Sequence, residues 1–277
     1  MNSRLSPQQL EAKAKALRLS CIQMAHEARE GHLNGALSCI DVLLVLYNNW
    51  LNVPSQLKDP NRDRFIFSKG HACTALYVVM ADRGLIPREY LKKYAQTDGP
   101  LPNHHCRHAL PELEWSAGSL GHGLGVASGV ALSLKLTGNR ARSVVMLSDG
   151  ECNEGSTWEA AMNAKALKLD NLVAIVDYNR VQSTDYTDTI TGATSFEDKF
   201  RAFGWNAKTI DGHNINEIQS ALDELPLGRG NPCALIAKTT AGKGVKFMEN
   251  TVLWHYRAPS VEDLAQAKSE LQTEIIY

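Results

Sequence analysis

The chain has 277 residues, is 44% hydrophobic and carries a formal net charge of −1. This length and apolar content are enough for one large domain with a full core. The near-neutral charge and the absence of a basic block argue against nucleic acid binding. No apolar run is long enough to cross a membrane.

The N-terminal segment and the cysteines indicate a cytoplasmic protein. Residues 1–19 are polar and lack the apolar core of a signal peptide. Six cysteines are scattered without C-x-x-C spacing, a pattern typical of reduced thiols. We find no internal repeat or low-complexity linker, so we expect one domain over residues 1–277, with a tail from about residue 245 that extends over the surface.

Apolar periodicity, caps and turn residues predict an alternation of helices and strands. In the first half we expect helices at 7–29, 36–48 and 72–83, a strand at 64–67, a long Pro- and His-rich loop at 98–117, and a glycine-rich turn at 118–125 that leads into a helix to about 136. In the second half we expect strands at 143–148, 172–177, 207–210 and 233–239. Between and after these strands we expect helices at 154–168, 196–203 and 215–225, a polar loop at 187–194 and a last helix after Ser260. Strands that alternate with helices predict an α/β fold, a doubly wound, mostly parallel sheet with helices on both faces.

The rest of the chain is organised around the stretch from Ser143 to Gln182. Two apolar runs joined by a helix predict neighbouring parallel strands with a right-handed crossover. Asp149 follows the first strand and Asn179 follows the second, so both lie at the edge where open α/β sheets bind ligands. One carboxylate and one amide oxygen suit Mg²⁺, which completes its shell with water and phosphate oxygens. A turn Asp-Gly and an ordinary strand-end Asn would explain the same pattern, so spacing alone leaves both readings open.

The residues around this pair carry a resemblance to a known family. Asp149-Gly150-Glu151, followed later by Asn179, resembles the thiamine diphosphate motif G-D-G…N, and the flanking Glu154-Gly155 and Asp177-Tyr178-Asn179 are similar to the transketolase family in particular. Ser148 stands where that family usually has Gly. The resemblance implies binding of thiamine diphosphate, with Asp149, Gly150, Glu151 and Asn179 among the cofactor-binding residues.

The same resemblance implies a metal site. Asp149, Asn179 and the main-chain oxygen of Val181 would ligate Mg²⁺ (or Ca²⁺ or Mn²⁺), and the metal would hold the cofactor diphosphate. The loop Gly118-Ser119-Leu120-Gly121 resembles the family's G-S-L-G loop, which implies that main-chain groups of Gly118 and Leu120 hold the aminopyrimidine end of the cofactor. As a bare glycine-rich loop, this segment is explained nearly as well by tight helix packing.

The resemblance to transketolases, which act on sugars, makes four histidines candidates for binding sugar oxygens and moving protons: His32, His71, His105 and His213. A histidine next to a Gly at a helix start is commonly a capping or packing residue. The segments SKGH at 68–71 and DGH at 211–213 resemble transketolase, which implies that His71 and His213 also contact the cofactor. The Gly31-His32 segment departs from the family, because it continues Leu-Asn-Gly where the family has P-G-G.

The loop at 98–117 brings several further candidate ligands together. His104, His105, Cys106 and His108 could suggest zinc, but their spacing matches no standard zinc pattern. Transketolases carry a substrate-facing His about this far before G-S-L-G, which makes His105 the best match and His104 the second.

The resemblance covers nearly the whole chain and implies two-carbon ketol transfer from a ketose or ketose phosphate to an aldose or aldose phosphate. The family's second half, which holds the catalytic glutamate and most substrate-phosphate contacts, has no counterpart here. We therefore expect that a separate C-terminal subunit completes the enzyme, in an α2β2 heterotetramer. Glu154 could join a carboxylate network between two active sites, or simply favour the helix dipole.

Three alternatives are weighed against that interpretation. They are the alpha chain of a 2-oxo-acid dehydrogenase, a deoxyxylulose-phosphate synthase-like enzyme and a non-catalytic regulatory relative. The histidine motifs argue against the first and the chain length against the second. The intact Asp149 and Asn179 argue against the third.

Overall fold

A computed structural model describes residues 4–54 and 59–277. Five strands form one sheet in the order β1-β2-β3-β5-β4, and every neighbouring pair is parallel. The strands are β1 (Arg64–Phe67), β2 (Ser143–Ser148), β3 (Leu172–Tyr178), β4 (Asn206–Asp211) and β5 (Cys233–Lys238). Each lies within one residue of its predicted bounds, and the predicted fold class is confirmed.

The described helices flank this sheet. They are α1 (Pro7–Ala28), α2 (Leu33–Val45), α3 (Cys73–Asp82), α4 (Gly123–Leu136), α5 (Gly155–Ala166), α6 (Thr187–Thr191), α7 (Phe196–Ala202), α8 (Ile215–Asp223) and α9 (Val261–Leu271). Among the residues that the structure describes, no helix combines the length and the apolarity that a membrane crossing requires.

The two faces of the sheet bury two separate cores. Successive strand side chains point to opposite faces, so Val144 and Met146 of β2 join one cluster while Val145 and Leu147 join the other. The first cluster is closed by α1, α2, α3 and α8, and the second by α4, α5 and α7. Because both faces are covered, the central strands are apolar over most of their length, as parallel strands usually are, and Asp177 near the end of β3 is an exception.

Helix α1 begins as its sequence predicts. The Ser6 hydroxyl accepts from the Gln9 backbone, and the Gln9 side chain accepts from the Ser6 backbone, which forms a capping box with Pro7 at the first helical position. The last helix has the same arrangement between Ser260 and Asp263. Segment 245–277 packs on the α1 side of the molecule, where it buries Val245, Met248, Trp254, Ala267 and Leu271.

Two segments differ from their prediction for reasons that the tertiary contacts explain. Helix α2 starts at Leu33, three residues early, because buried contacts of Asn34 and Gly35 override their weak helix propensity; a π-helical turn, Leu46–Trp50, follows it. The expected polar loop at 187–194 contains the short helix α6. Its first residue, Thr187, is buried and bonded to Arg180 and Asp149, so tertiary contacts fix this turn.

Candidate active site

The carboxyl ends of β2 and β3 bring Asp149 and Asn179 together. Ser148 is in register with Asp177, and the two chains continue side by side beyond the ladder. The Arg180 backbone N–H donates to Asp149 Oδ2 at 2.8 Å. The predicted parallel pairing is therefore confirmed, and with it the predicted meeting of the two strand ends.

The Asp149 carboxylate is 1% exposed and is surrounded by donors. Besides Arg180, the Thr187 hydroxyl donates to Oδ2 at 2.8 Å and the Gly150 N–H donates to Oδ1 at 3.0 Å. Burial raises the pKa of Asp149 to about 6, and the nearby Asp177 adds to this rise while the Thr187 bond opposes it. A cation beside the group would favour its charged form.

Asn179 is also buried and its amide is held in a fixed orientation. Its Oδ1 accepts from the Val181 N–H at 3.0 Å, and its Nδ2 donates to Ser38 Oγ at 3.2 Å. A carboxylate from Asp149, an amide oxygen from Asn179 and a main-chain oxygen at Val181 are the hard oxygen donors that Mg²⁺ takes. The residues present thus fit a magnesium–diphosphate site.

Metal sites of other types are not formed by the described ranges. Within residues 4–54 and 59–277, no three His, Cys, Asp or Glu side chains are grouped so as to hold a metal ion. The proposed magnesium donors do not belong to that type, since they include a single carboxylate.

A buried ion pair supports the base of this site, and sequence reasoning missed it. Lys69 Nζ donates to Asp177 Oδ2 and, at 2.6 Å, to the Gly35 carbonyl, and its side chain and that of Asp177 are 0% and 1% exposed. Burial opposes the charge on Lys69, whereas the charge of Asp177 and its hydrogen bond favour it, and the net effect is that the pKa of Lys69 is raised. Ser38 Oγ also donates to Asp177, at 2.6 Å. The pair ties the segment before His71 to the end of β3.

Four imidazole rings form a cluster near this pair. The ring centroid of His32 lies 5.7 Å from that of His71, 5.9 Å from that of His104 and 5.5 Å from that of His255, and the His71 and His255 rings are 5.8 Å apart. Burial lowers the pKa values of His32 and His255 to about 4. Burial, and then the Lys69 charge, lower the pKa of His71 well below its ordinary value. These three rings are therefore neutral at physiological pH.

The structure places the two neighbouring histidines of the loop in different surroundings. His104 lies in the cluster, whereas His105 is 1% exposed and packs 5.8 Å from the Phe67 ring. Burial lowers the pKa of His105 to about 4. Both ring nitrogens of His105 are buried without a hydrogen-bond partner in the described residues, so the substrate-facing role predicted for His105, with His104 as the second candidate, stays a prediction.

His255 belongs to the cluster and was not among the predicted residues. Its chain segment returns from far along the sequence, and local periodicity gives no sign of that return. The available signal was the Trp-His-Tyr sequence at 254–256.

His213 lies apart from the cluster, between α2 and the turn after β5. Its Nδ1 pairs with Asp41 Oδ2 at 2.7 Å, and its Nε2 accepts from the Thr240 N–H at 2.8 Å. Asp41 is in turn held by Arg18 at 2.6 Å. Both ring nitrogens of His213 therefore have protein partners in this structure, and the cofactor contact and the catalytic role predicted for it stay predictions.

The glycine-rich loop is fixed by Glu151. This carboxylate is 0% exposed, and its Oε1 accepts from the Ser68 hydroxyl and from the Gly121 N–H, the latter at 2.9 Å. Gly121 has a φ of +85°, and a Cβ there would lie 2.6 Å from the Glu154 side chain. At Gly118 a Cβ would meet nothing within 4 Å. Glu151 thus holds the Gly121 end of the loop, and the Gly118 end of the loop is open.

Comparisons with known proteins agree with this geometry. The family described as "Transketolase, thiamine diphosphate binding domain" matches residues 10–275. The chain is 38% identical to one subunit of the apulose-4-phosphate transketolase of Actinobacillus succinogenes, over 98% of each chain. It is 36% identical to the 6-deoxy-6-sulfo-D-fructose transketolase subunit SqwG of Clostridium sp., over 96% of this chain and 97% of that one.

Single-chain transketolases are matched over less of their length. Human transketolase is 34% identical over 97% of this chain, but only 43% of the human chain is covered. The crystal structure of Campylobacter jejuni transketolase superimposes with a TM-score of 0.90 at 29% identity, over 98% of this chain and 44% of that chain. The chain described here therefore belongs to the transketolase family and comprises that family's thiamine diphosphate-binding domain.

Proposed function

We propose that this chain is the N-terminal subunit of a two-chain transketolase that moves a two-carbon ketol unit from a ketose or ketose phosphate to an aldose or aldose phosphate. The observation that carries the proposal is the pairing of Asp149 and Asn179 at adjacent strand ends in the same chain as a cluster of four imidazoles. The two-chain arrangement is supported by the relatives that are named as individual transketolase subunits and match along nearly their whole length.

The strand-end oxygens would hold the cofactor. Asp149, Asn179 and the Val181 carbonyl would bind Mg²⁺, which would hold the diphosphate. Thiamine diphosphate, when bound, supplies the carbon nucleophile that receives the two-carbon unit. The open Gly118 end of the loop, held in place by Glu151, would receive the aminopyrimidine.

The imidazole cluster would bind and deprotonate sugar hydroxyls. A neutral imidazole has one nitrogen that accepts a proton and one that donates a hydrogen bond, so His32, His71 and His255 can act in both ways at physiological pH. The Nδ1 atom of His32 is buried and has no hydrogen-bond partner in the described part of the chain. Buried polar atoms are normally paired, and a sugar hydroxyl would complete this one.

The partner would be a transketolase C-terminal subunit that supplies the catalytic glutamate and the substrate-phosphate contacts. We expect two copies of each chain in the complex, because the family builds its active sites at a two-fold interface.

Turnover with and without the partner tests the proposal. The purified chain should show no transfer from a ketose donor to an aldose acceptor, and activity should appear when the C-terminal subunit is added. The Asp149→Ala variant, purified in the same way, reveals any contaminating host transketolase, because such activity would persist in it. Full activity from the parent polypeptide alone, absent from the Asp149→Ala preparation, would contradict the two-chain arrangement.

A further inference from the structure

The segment 250–257 crosses the start of α2 and is fixed there through its main chain. The Asn34 side chain donates to the Thr251 carbonyl at 2.6 Å. Gly31 allows a closer approach, since a Cβ at this position would lie 2.8 Å from the Arg257 nitrogen and 3.0 Å from Tyr256 Cα. The backbone that carries Tyr256 is therefore held against the chain immediately before His32.

The side chains of this segment divide into anchors and outward groups. Trp254 is 3% exposed, and the Arg257 guanidinium lies over its ring at 4.8 Å. His255 turns into the imidazole cluster. Tyr256 is 70% exposed, yet its ring centroid lies 4.8 Å from that of His32. Its ring thus covers the solvent side of the cluster from a fixed backbone.

We propose that Tyr256 determines which substrates the enzyme accepts, by limiting the length of the carbon chain that fits beside His32. This inference rests on the proposed function. The chemistry of two-carbon transfer is the same for every substrate, so selection must come from groups that meet the carbons beyond those transferred. Tyr256 is placed for this, because its ring borders the cluster without supplying an imidazole. A short acceptor would end against the ring, whereas a longer one would have to displace it.

The chemical character of the Tyr256 side chain also supports a role in substrate selection. An aromatic ring offers a flat apolar face to sugar C–H groups. Its two side-chain torsions leave little freedom to lose on binding. A fixed backbone with an exposed ring therefore gives a wall whose size can change without disturbing the core.

The test compares acceptors of different length in the complex with the C-terminal subunit. With one ketose donor, kcat/KM is measured for a three-carbon and a five-carbon aldose phosphate. In Tyr256→Ala the ratio of the short to the long acceptor should fall about tenfold, the size of effect that a modest change of pocket volume gives. Tyr256→Phe should keep the parent ratio, because the ring remains.

Leu253→Ala is the matched control, since Leu253 is 61% exposed in the same segment. It should keep the parent ratio, and all three variants should melt close to the parent, because exposed substitutions change stability little. A parent complex without any two-carbon transfer would overturn the proposed function. A parent that is active, with an unchanged ratio in Tyr256→Ala, would overturn only the role of Tyr256. An equal change in Leu253→Ala, or a Tyr256→Phe variant that behaves like Tyr256→Ala, would also overturn it.

Discussion

The strand-end site and the imidazole cluster are assembled in different ways. Asp149 and Asn179 follow consecutive strands of a single β-α-β unit, so the parallel pairing of β2 with β3 is enough to bring them together. The cluster takes one ring from each of four distant segments, at His32, His71, His104 and His255. The first site is a property of a local motif, whereas the second exists only when loop and tail have folded over α2.

This difference has an energetic counterpart. The strand-end carboxylate is held by backbone N–H groups of its own unit and by Thr187. The cluster depends on long-range supports, which include the buried Lys69–Asp177 pair and the contact of Gly31 with segment 256–257. We therefore expect substitution of Asp149 to affect ligand binding more than stability, and substitution of the buried pair beneath the cluster to have its main effect on stability.

The largest effect is expected at Asp149. Asp149→Ala removes the carboxylate from the proposed metal site and should abolish Mg²⁺-dependent binding of thiamine diphosphate. The chain should still fold, because Asp149 lies beyond the end of β2, but the N–H groups of Arg180 and Gly150 and the Thr187 hydroxyl lose their acceptor, which should lower the free energy of unfolding by about 1–3 kcal/mol. Calorimetric titration of the cofactor, with Mg²⁺ and the partner subunit present, measures the binding.

Asp188→Ala provides the control, since Asp188 pairs with the exposed Arg180 close to the same site. Cofactor affinity in that variant should stay near that of the parent. An Asp149→Ala protein that binds the cofactor as tightly as the parent would show that the metal site has been assigned to the wrong residue.

The second prediction separates the two neighbouring histidines of the loop. His104→Ala should lower turnover by about 10²–10⁴, the usual cost of losing a group that transfers a proton, with little change in melting temperature. His105→Phe should keep turnover near that of the parent, because a second aromatic ring can pack against Phe67. Steady-state rates of the two variant complexes, together with thermal unfolding of each variant chain, show which histidine is needed for turnover. The opposite pattern would assign the substrate-facing role to His105.

The third prediction concerns the support beneath the cluster. Lys69→Met leaves the Asp177 carboxylate buried without its cation, and breaking such a pair costs about 3–5 kcal/mol. Denaturant unfolding should detect this loss in the free energy of unfolding. Lys268→Met breaks an exposed pair with Glu274, which should cost no more than about 1 kcal/mol. Similar losses in both variants would mean that the buried pair contributes no more to the free energy of unfolding than the exposed pair does.

The sequence allowed the first site to be predicted and only part of the second. Strand ends follow from apolar runs, and parallel neighbours share an edge, so Asp149 and Asn179 could be placed before any coordinates. The choice between His104 and His105 depends on which side chain turns inward from a loop without regular structure. The orientation of a side chain in such a loop cannot be predicted from sequence periodicity. His255 reaches the cluster through a long-range return of the tail, and the early start of α2 likewise follows from burial of Asn34 rather than from its propensity.

The last prediction uses pH to measure how firmly the loop packs over His105. The pKa of this ring is lowered to about 4 in the folded chain by burial, compared with its ordinary value of 6.5. The unfolded chain therefore binds more protons than the folded chain between these values, so the contribution of His105 to the free energy of unfolding falls as the pH falls from 6.5 towards 4. The difference between these two pKa values corresponds to a change of about 3 kcal/mol in the free energy of unfolding at pH 4. His105→Phe removes the titrating group, and its stability relative to the parent should rise by up to that amount over the same range.

Urea unfolding of the parent and the variant at several pH values gives the difference directly, and taking that difference cancels the titration of His32, His255 and the carboxylates. A difference that does not change with pH would mean that the His105 ring remains accessible to water and that the loop is less tightly closed than the cluster requires.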